Sequence, residues 1–464
     1  MRFNKFLLGI ATLSVLSSCD NSGIDGNGGL VDGIPVSATL NISLGMNTAT
    51  RASGKTTEEG KVHNVKIFVY SSKTLEQVLI ADVESGNTSA SKVINTTSGR
   101  KEFVVLANTL KTEESVINGL SNVGVSKLDD MNAFLRATNK KAASIAPETT
   151  PDIALAAASY VMSKIQEQEI TKEENQTIAI ALNRSSVKVA TALNPAKVEL
   201  LPQWTITNGD GDISYAKMIK AVAEPKFTLV QTAMQSHVVR TAAYTNGGSE
   251  GTQVDLEANK DPRELGTGTF DHLHPYNKDD QFYRDALPVF PAAAASIAWG
   301  EALYCGENVN QKTGAGKITT GEITFSIVRV KLEPTDNKGQ ALVLTDGTFT
   351  LETKSATGEI VQIHAGKVTT ATAGGDKLIT YEGGLAYYRL DLRDKTQSDI
   401  EAKYAVKANS LYSVQVNRIL GFGSNNPEDL IPVDPETPTE TDVDITANIT
   451  VSDWFNIDMT EDLE

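Results

Sequence analysis

The chain has 464 residues, of which 40% are hydrophobic, and it carries a formal net charge of −16 with an isoelectric point near 4.9. This length is sufficient for two folded domains. The acidic balance argues against a nucleic-acid partner, which would select a basic face. Cys19 and Cys305 are the only cysteines. If Cys19 is lipid-modified, as predicted below, no intramolecular disulfide can form, and the fold must rely on buried apolar surface.

The N-terminus has the regions of a bacterial export signal in the expected order. Arg2 and Lys5 precede an apolar run from Phe6 to Val15, which is too short to span a bilayer. The run closes on Leu16-Ser17-Ser18-Cys19, which is similar to a lipobox, where small residues precede a cysteine that is acylated on sulphur. We therefore predict that residues 1–19 are a lipoprotein signal peptide and that Cys19 becomes a membrane anchor.

The segment from residue 20 to residue 51 is predicted to be a tether followed by a first strand. Residues 20–33 are rich in Gly, Asn and Asp and lack apolar periodicity, as a flexible tether does. Residues 38–46 alternate strictly, which predicts a half-buried strand with Leu40, Ile42 and Leu44 on one face. Arg51 follows in a polar loop, the kind of place where proteases cut. A solvated surface arginine is the plainer reading of this residue taken alone.

Most of the remaining chain predicts β-strands, with one helix where Ser126–Asp129 resembles an N-cap ahead of Met131, Phe134 and Leu135. Residues 154–165 fit either a helix or an extended segment, and residues 247–283 predict a polar surface excursion. The predicted fold is mainly β, with domains at 52–205 and 206–424. The predicted strands are Val62–Tyr70, Phe103–Leu110, Ile178–Leu182, Val187–Leu193, Glu322–Leu332, Ala341–Leu351, Glu359–Ile363, Leu385–Leu392 and Leu411–Leu420.

The C-terminal segment, residues 425–464, combines a Pro-rich acidic stretch with an alternating strand. Four prolines between residues 425 and 441 favour an extended linker. Leu40–Leu44 and Ala447–Val451 share one order of apolar, Asn, Ile, hydroxyl and apolar residues. Both segments could fill the same groove, or both could be ordinary strands of one subunit. Because generic strand composition easily produces such a match, the match alone favours ordinary strands. The inward-facing residues predicted for the last strand are Val443, Ile445, Ala447, Ile449 and Val451.

Nothing in the sequence forms a familiar catalytic, cofactor or metal-binding motif. His272 and His274 could offer two imidazoles, but no third ligand follows at a known spacing, and a surface loop is the better interpretation. Asn208–Asp212 resembles the start of a calcium loop, but Ile213 and Ile219 stand where that loop needs Gly and Glu. A hairpin turn is therefore predicted there. We expect a protein that is not an enzyme and that needs no cofactor or metal.

Several motifs, read together, resemble the type V pilins, the fimbrillins of Gram-negative anaerobes, and most closely the major subunits of minor fimbriae. Each motif is weak alone, but their order and placement span the mature chain. They are the lipobox at Cys19, the first strand followed by Arg51-Ala52, Phe103–Asn108, Arg184–Val187, Leu385–Tyr388, Tyr412–Val414 leading to Leu420–Phe422, and the Pro-rich linker with its strand before Trp454.

The resemblance implies two β-sandwich-like domains with short helices and an assembly mechanism. Members are exported as outer-membrane lipoproteins and cut by an Arg-specific protease, here between Arg51 and Ala52. They lose the strand bearing Leu40, Ile42 and Leu44, and the emptied groove takes the C-terminal donor strand of another subunit. The partners expected are therefore other copies of the chain and other fimbrial subunits, in a head-to-tail polymer at the cell surface that supports adhesion.

Two other functions fit parts of the sequence. A tip or accessory subunit would receive a donor strand but lack one of its own, and the C-terminal linker and strand argue against it. A surface glycan-binding lipoprotein would also carry a lipobox, a tether and β-sandwich modules. It should display exposed aromatic residues, and aromatics make up only 6% of this chain.

Overall fold

A computed structural model describes residues 33–44, 61–83, 89–109, 113–132, 134–137, 161–173, 175–200, 205–208, 211–233, 235–237, 239, 283–291, 297, 301–308, 323–372, 374–396, 403–431 and 445–453. Within these ranges the chain is mainly β with short helices, which confirms the predicted fold class. None of the helices in the described ranges is long and apolar enough to cross a membrane.

The N-terminal half forms an eight-stranded sheet in the order β3-β2-β6-β8-β9-β1-β5-β4, and β7 pairs outside it with the later strand β15 (Gln235–His237). The elements of this half are β1 (Pro35–Leu44), β2 (Val65–Ser71), β3 (Thr74–Ile80), β4 (Asp82–Val83), β5 (Ser89–Thr97), β6 (Gly99–Ala107), α1 (Glu114–Gly119), α2 (Leu128–Asn132), β7 (Leu135–Ala137), β8 (Met162–Ile170) and β9 (Gln176–Arg184).

The first core lies where the two halves of this sheet fold over each other. Strands β8 and β9 pair only at Met162–Arg184 and Ser163–Asn183, which lets the sheet turn there. Alternating side chains of β2 and β6, such as Ile67 and Phe103, share one buried cluster with side chains of β1 and β9. The other face of β2 and β6 packs against α1 and α2. The result is a sandwich-like module covered by short helices.

The second half contains the remaining elements, in several smaller sheets. They are β10 (Ser186–Leu193), β11 (Glu199–Leu200), β12 (Thr205–Asn208), β13 (Gly211–Ser214), α3 (Tyr215–Met218), β14 (Ile219–Val230), β15 (Gln235–His237), β16 (Arg284–Asp285), β17 (Leu303–Gly306), β18 (Phe325–Pro334), β19 (Phe349–Thr353), β20 (Ile360–Ala365), β21 (Lys377–Tyr381), β22 (Leu385–Asp391), β23 (Ser410–Ile419) and β24 (Ile445–Asp453), with 3₁₀ turns at Glu382–Gly384 and Pro427–Leu430.

The second core lies between two of these sheets. One contains β17, β10 and β23, and the other has the order β16-β14-β18-β22. Val189 and Val414 from the first sheet share a buried cluster with Val328 and Tyr388 from the second. The three-stranded sheet β20-β19-β21 adds Phe349, whose ring stacks on Tyr381 at 4.8 Å between centroids. This arrangement is again sandwich-like.

Strand β10 contributes to both cores. Val187 and Val189 face the second core, whereas Ala190 packs in the first core with Tyr304 and Leu411. β10 pairs with β17 and β23, both from the second half. We therefore propose that the division between the modules falls just before β10, ahead of the boundary predicted at residue 205.

Most strand predictions agree with the structure, and three details differ. Ala341–Leu351 was wrong over its first part, because Asp346 accepts a hydrogen bond from Thr348 N at 2.9 Å and Gly347 has a φ of +83°, so that β19 begins only at Phe349. Asp130, rather than Asp129, caps helix α2 by accepting from Lys127 N at 3.0 Å, and the helix ends at Asn132, so that Leu135 lies in β7 and not in the helix. The residues from 162 to 165, which were left undecided, are extended in β8, and 154–160 lie outside the described residues.

The start of the predicted linker is also structured. Pro427–Leu430 forms a 3₁₀ turn, capped by Asn426, whose side chain accepts from Glu428 N. Leu430 and Ile431 pack on the outer face of the β14-β18-β22 sheet. The extended part of the linker can therefore begin only after Ile431, and it is shorter than the sequence suggested.

Candidate functional site

Strand β1 occupies a central position in the N-terminal sheet. It runs antiparallel to β5, with Pro35–Ser43 opposite Ser89–Thr97, and parallel to β9, with Ala38–Leu44 beside Gln176–Leu182. In the described sheet β1 is the only strand that joins β9 to β5. We call the space that it fills, between β5 and β9, the β1 groove.

The predicted alternation of β1 is confirmed. Ala38, Leu40 and Ile42 are buried with exposures of 0%, 0% and 1%, whereas Asn41 is exposed. Their pattern follows from a pleated strand with one face on a core and the other toward solvent. The walls of the groove on the core side are apolar and come from Ala90, Ile94, Ile178, Ile180 and Leu182. The side chain of Leu44, predicted on the same face, lies outside the described part of the strand.

Hydrogen bonds fix the N-terminal end of β1. Ser98 N donates to Ile34 O at 2.7 Å, and Gly33 N donates to Ser98 O at 3.2 Å. On the other side Asn175 N donates to Ser37 O at 3.0 Å. Because these bonds hold the strand at its start, the register of β1 is set at the end far from Arg51.

The predicted processing sites fall outside the described residues. Cys19 precedes residue 33, the first described residue, and Arg51 and Ala52 fall between the described residues Leu44 and Lys61. What the structure does place is β1, which precedes Arg51 along the chain, and β2, which follows it.

The predicted donor strand corresponds to β24, except for Val443, which lies outside the described residues. β24 pairs antiparallel with β23 of its own chain, with Ile449 opposite Val414. Since β10 pairs with the same stretch of β23, β10 and β24 lie on opposite sides of it. Ile449 is only half-buried and packs against the second core. The positions of Ile445, Ala447 and Val451 are given by the backbone of β24.

A buried carboxylate–imidazole pair in the second module was not predicted. The Glu352 side chain is fully buried and lies 2.8 Å from His364 Nε2. Thr372 donates to Glu352 Oε1 from its main-chain N at 2.8 Å and from its hydroxyl at 2.6 Å. Burial raises the pKa of the Glu352 carboxyl, but the hydrogen bonds from Thr372 and His364 lower it more, so its pKa lies below the ordinary value. The pair joins β20 to β19, and the two bonds from Thr372 tie the segment after β20 to the same carboxylate.

The described residues contain no cluster of three or more His, Cys, Asp or Glu side chains that could hold a metal ion. His272 and His274 lie outside the described ranges. β12 and β13 pair as a hairpin, with Asn208 opposite Gly211, as predicted for that turn. In the described chain, the β1 groove and β24 are therefore the best candidates for a functional site.

Two family models of fimbrial proteins match the chain. The model described as major fimbrial subunit protein (FimA) matches residues 38–184, from within β1 to the end of β9. The model described as major fimbrial subunit protein type IV, fimbrillin, C-terminal, matches residues 379–460, which include β22, β23 and β24. The mainly β fold and the two family-model matches together define the class of the protein as a fimbrial subunit. Residues 38–184 and 379–460 of the chain are therefore similar to major fimbrial subunits of the fimbrillin type.

Solved structures give more distant likenesses. The chain is 12% identical to the tip fimbrial protein Mfa3 of Porphyromonas gingivalis, covering 90% of this chain and 100% of that one with a TM-score of 0.40. It is 13% identical to a fimbrilin (FimA) of P. gingivalis W83. That alignment covers 90% of this chain and 97% of the fimbrilin, with a TM-score of 0.42. No curated protein sequence matches this chain.

Proposed function

We propose that this protein is a structural, non-catalytic subunit of a cell-surface fimbria, exported as an outer-membrane lipoprotein through Cys19 and polymerised by strand exchange. Cleavage between Arg51 and Ala52 by an Arg-specific protease separates β1 from the rest of the chain. The C-terminal strand β24 of another subunit then replaces β1. The observation that carries this proposal is the position of β1, which is central in its sheet and yet precedes the cleavage site.

Loss of β1 would leave a groove that must be refilled. Burial of Val36, Leu40 and Ile42 contributes about 1.5–3 kcal/mol each, or roughly 5–9 kcal/mol together as an upper bound. Without β1, main-chain groups on the facing edges of β5 and β9 would lose their partners. An empty groove is therefore unstable, and a strand of the right pattern should bind it tightly.

The pattern and present position of β24 suit it to the β1 groove. If Ala447, Ile449 and Val451 take the places of Leu40, Ile42 and Leu44, Asn448 takes the place of the exposed Asn41. Among the described strands β24 pairs only with β23, and Ile449 is half-buried, whereas β1 pairs on both sides and Ile42 is 1% exposed. Transfer to the groove would add a second ladder of hydrogen bonds and deeper burial, which favours exchange.

The geometry of the exchange favours a fibre over a closed dimer. The groove lies in the first module, and β24 follows the second module after a Pro-rich linker that starts at Ile431. A donor on one end and an acceptor on the other make a head-to-tail contact, which propagates unless the rotation closes a ring. The presence of β24 also argues against a tip subunit.

Replacing Ile449 with Asp tests the donor strand. The charge would enter an apolar groove without a partner, which costs several kcal/mol, so cleaved Ile449→Asp subunits should form no fibres in electron micrographs. Thr450→Asp is the matched control, because it places the same charge on the opposite face of the strand and should polymerise. Circular dichroism must show both variants folded. If cleaved Ile449→Asp forms fibres in the same yield as the wild type, the proposal is wrong.

A further inference from the structure

The outer face of the β16-β14-β18-β22 sheet lies on the side away from the second core and carries its own small apolar cluster. Val230, Phe325 and Ile327 form its buried centre, and Tyr283, Tyr387, Leu430 and Ile431 pack around them. Register places Arg329 between Lys226 and Tyr387 on this face, because each is its direct neighbour on the adjoining strand. We call this surface the Arg329 face.

Four basic side chains lie on the Arg329 face, and three of them have carboxylate partners. The pairs are Lys226–Asp285 at 3.2 Å, Lys331–Glu224 at 3.5 Å and Arg389–Asp391 at 2.7 Å. Arg329 makes neither an ion pair nor a hydrogen bond in the described part of the chain, and its Nε atom is buried without a partner. Within the described ranges, Arg329 therefore lacks the carboxylate partner that the other three basic side chains have.

The Tyr283 ring lies against the Arg329 guanidinium. Its Cζ atom lies 4.8 Å from the centre of the Tyr283 ring, and the Tyr283 and Tyr387 rings are 6.5 Å apart at an angle of 59°. Arg329, Tyr283 and Tyr387 are all half-buried. An attraction between the cation and the ring restricts the side chain, and a half-buried site strengthens its interaction with an anion.

We propose that the Arg329 face binds the carboxylate of an acidic sugar. A guanidinium matches a carboxylate with two parallel hydrogen bonds, and the tyrosine rings offer apolar surface to the sugar ring. The adjoining pair Lys226–Asp285 supplies donors and acceptors for hydroxyl groups. β14 and β18 are each paired on both sides, so the face offers no main-chain ladder for an acidic peptide.

The test measures binding of the full chain to immobilised polygalacturonate at low salt by biolayer interferometry, with the methyl ester of the same polymer as the neutral probe. The chain should bind the acid and not the ester. Arg329→Gln should weaken binding about tenfold or more, the usual effect of losing a hydrogen-bonded charge. Lys331→Gln is the matched control, because it removes the same charge two residues along β18. It should stay within about twofold of the wild type.

Several outcomes overturn the proposal. They are no binding to the acid, equal binding to acid and ester, equal affinities of Arg329→Gln and Lys331→Gln, or equally tight binding to polyglutamate, which would assign the face to acidic peptides. If circular dichroism shows Arg329→Gln unfolded, Arg329→Lys replaces it, since a lysine keeps the charge without the two-pronged geometry. Wild-type affinity of Arg329→Lys would then overturn the proposal. None of these readouts depends on polymerisation.

Discussion

Among the described residues, three buried charged side chains have specific hydrogen-bond partners. Lys101 donates from Nζ to Glu76 at 2.7 Å and to Thr97 at 2.9 Å. Lys188, which is 1% exposed, donates to Ile297 O at 2.8 Å. Glu352 follows the same rule with Thr372 and His364. Since a buried charge without partners costs several kcal/mol, these contacts explain how polar residues remain inside both cores.

Glu352 makes the stability of the second module depend on pH. Its folded pKa lies below the ordinary value, so the stabilisation is complete above the unfolded value of about 4.3 and is lost as the pH falls toward the folded pKa. Glu352→Gln should lower the free energy of unfolding by about 1–3 kcal/mol at neutral pH and reduce its decline in acid. Urea denaturation across this pH range measures both effects.

Glu359→Gln is the control for that experiment. Glu359 lies one residue before β20 and pairs with Lys354 at 2.7 Å in a partly exposed position. Its replacement should change the free energy of unfolding by less than about 1 kcal/mol. If Glu352→Gln and wild type lose stability in parallel as the pH falls, the buried pair does not contribute as argued.

At the scale of elements, strand positions were predictable and strand partners were not. β1 was visible in the sequence because one of its faces is buried and the other exposed, which produces alternation. Its parallel pairing with β9 joins residues far apart in the chain, and no local pattern encodes that. The pairing of Glu352 with His364 was missed for the same reason, because it depends on the register of β19 against β20. The intramolecular place of β24 on β23 also had no local signal.

Cysteine pairs can test the register of the exchanged strand. With Asn448 in the place of Asn41, it would lie opposite Ser91 of the receiving subunit. Asn448→Cys with Ser91→Cys should give a ladder of disulfide-linked oligomers on non-reducing gels, because directly opposed Cβ atoms lie about 4.5–5.5 Å apart. The remaining thiol of the cleaved chain, Cys305, is buried, and burial raises its pKa to about 12, so it should not react.

Asn448→Cys with Val93→Cys serves as the off-register control. Val93 lies two residues from Ser91 on the same face of β5, opposite Thr39 in the present structure. The diagonal spacing of roughly 7–8 Å is too long for a disulfide without backbone movement. A ladder from this pair and none from the Ser91 pair would show that β24 enters the groove in another register.

At the scale of the whole molecule, the proposed exchange would give each subunit two separable activities. The subunit would accept a strand in the module that contains β1 and donate β24. Arg51→Ala should keep β1 covalently attached, so that the groove stays filled and the subunit can only donate. Sequencing of wild-type fibre subunits should begin at Ala52, and Arg51→Ala alone should remain monomeric after protease treatment.

Mixing the two one-sided variants tests whether the contact is head-to-tail. Cleaved Ile449→Asp can only accept and Arg51→Ala can only donate, so neither should polymerise alone, but together they should form a one-to-one dimer. The dimer cannot grow, because its free groove is filled by β1 and its free β24 carries the aspartate. Analytical ultracentrifugation of an equimolar mixture should show one species of twice the monomer mass. Long fibres from the mixture would require a second contact between subunits, and persistent monomers would mean that β24 does not enter the β1 groove.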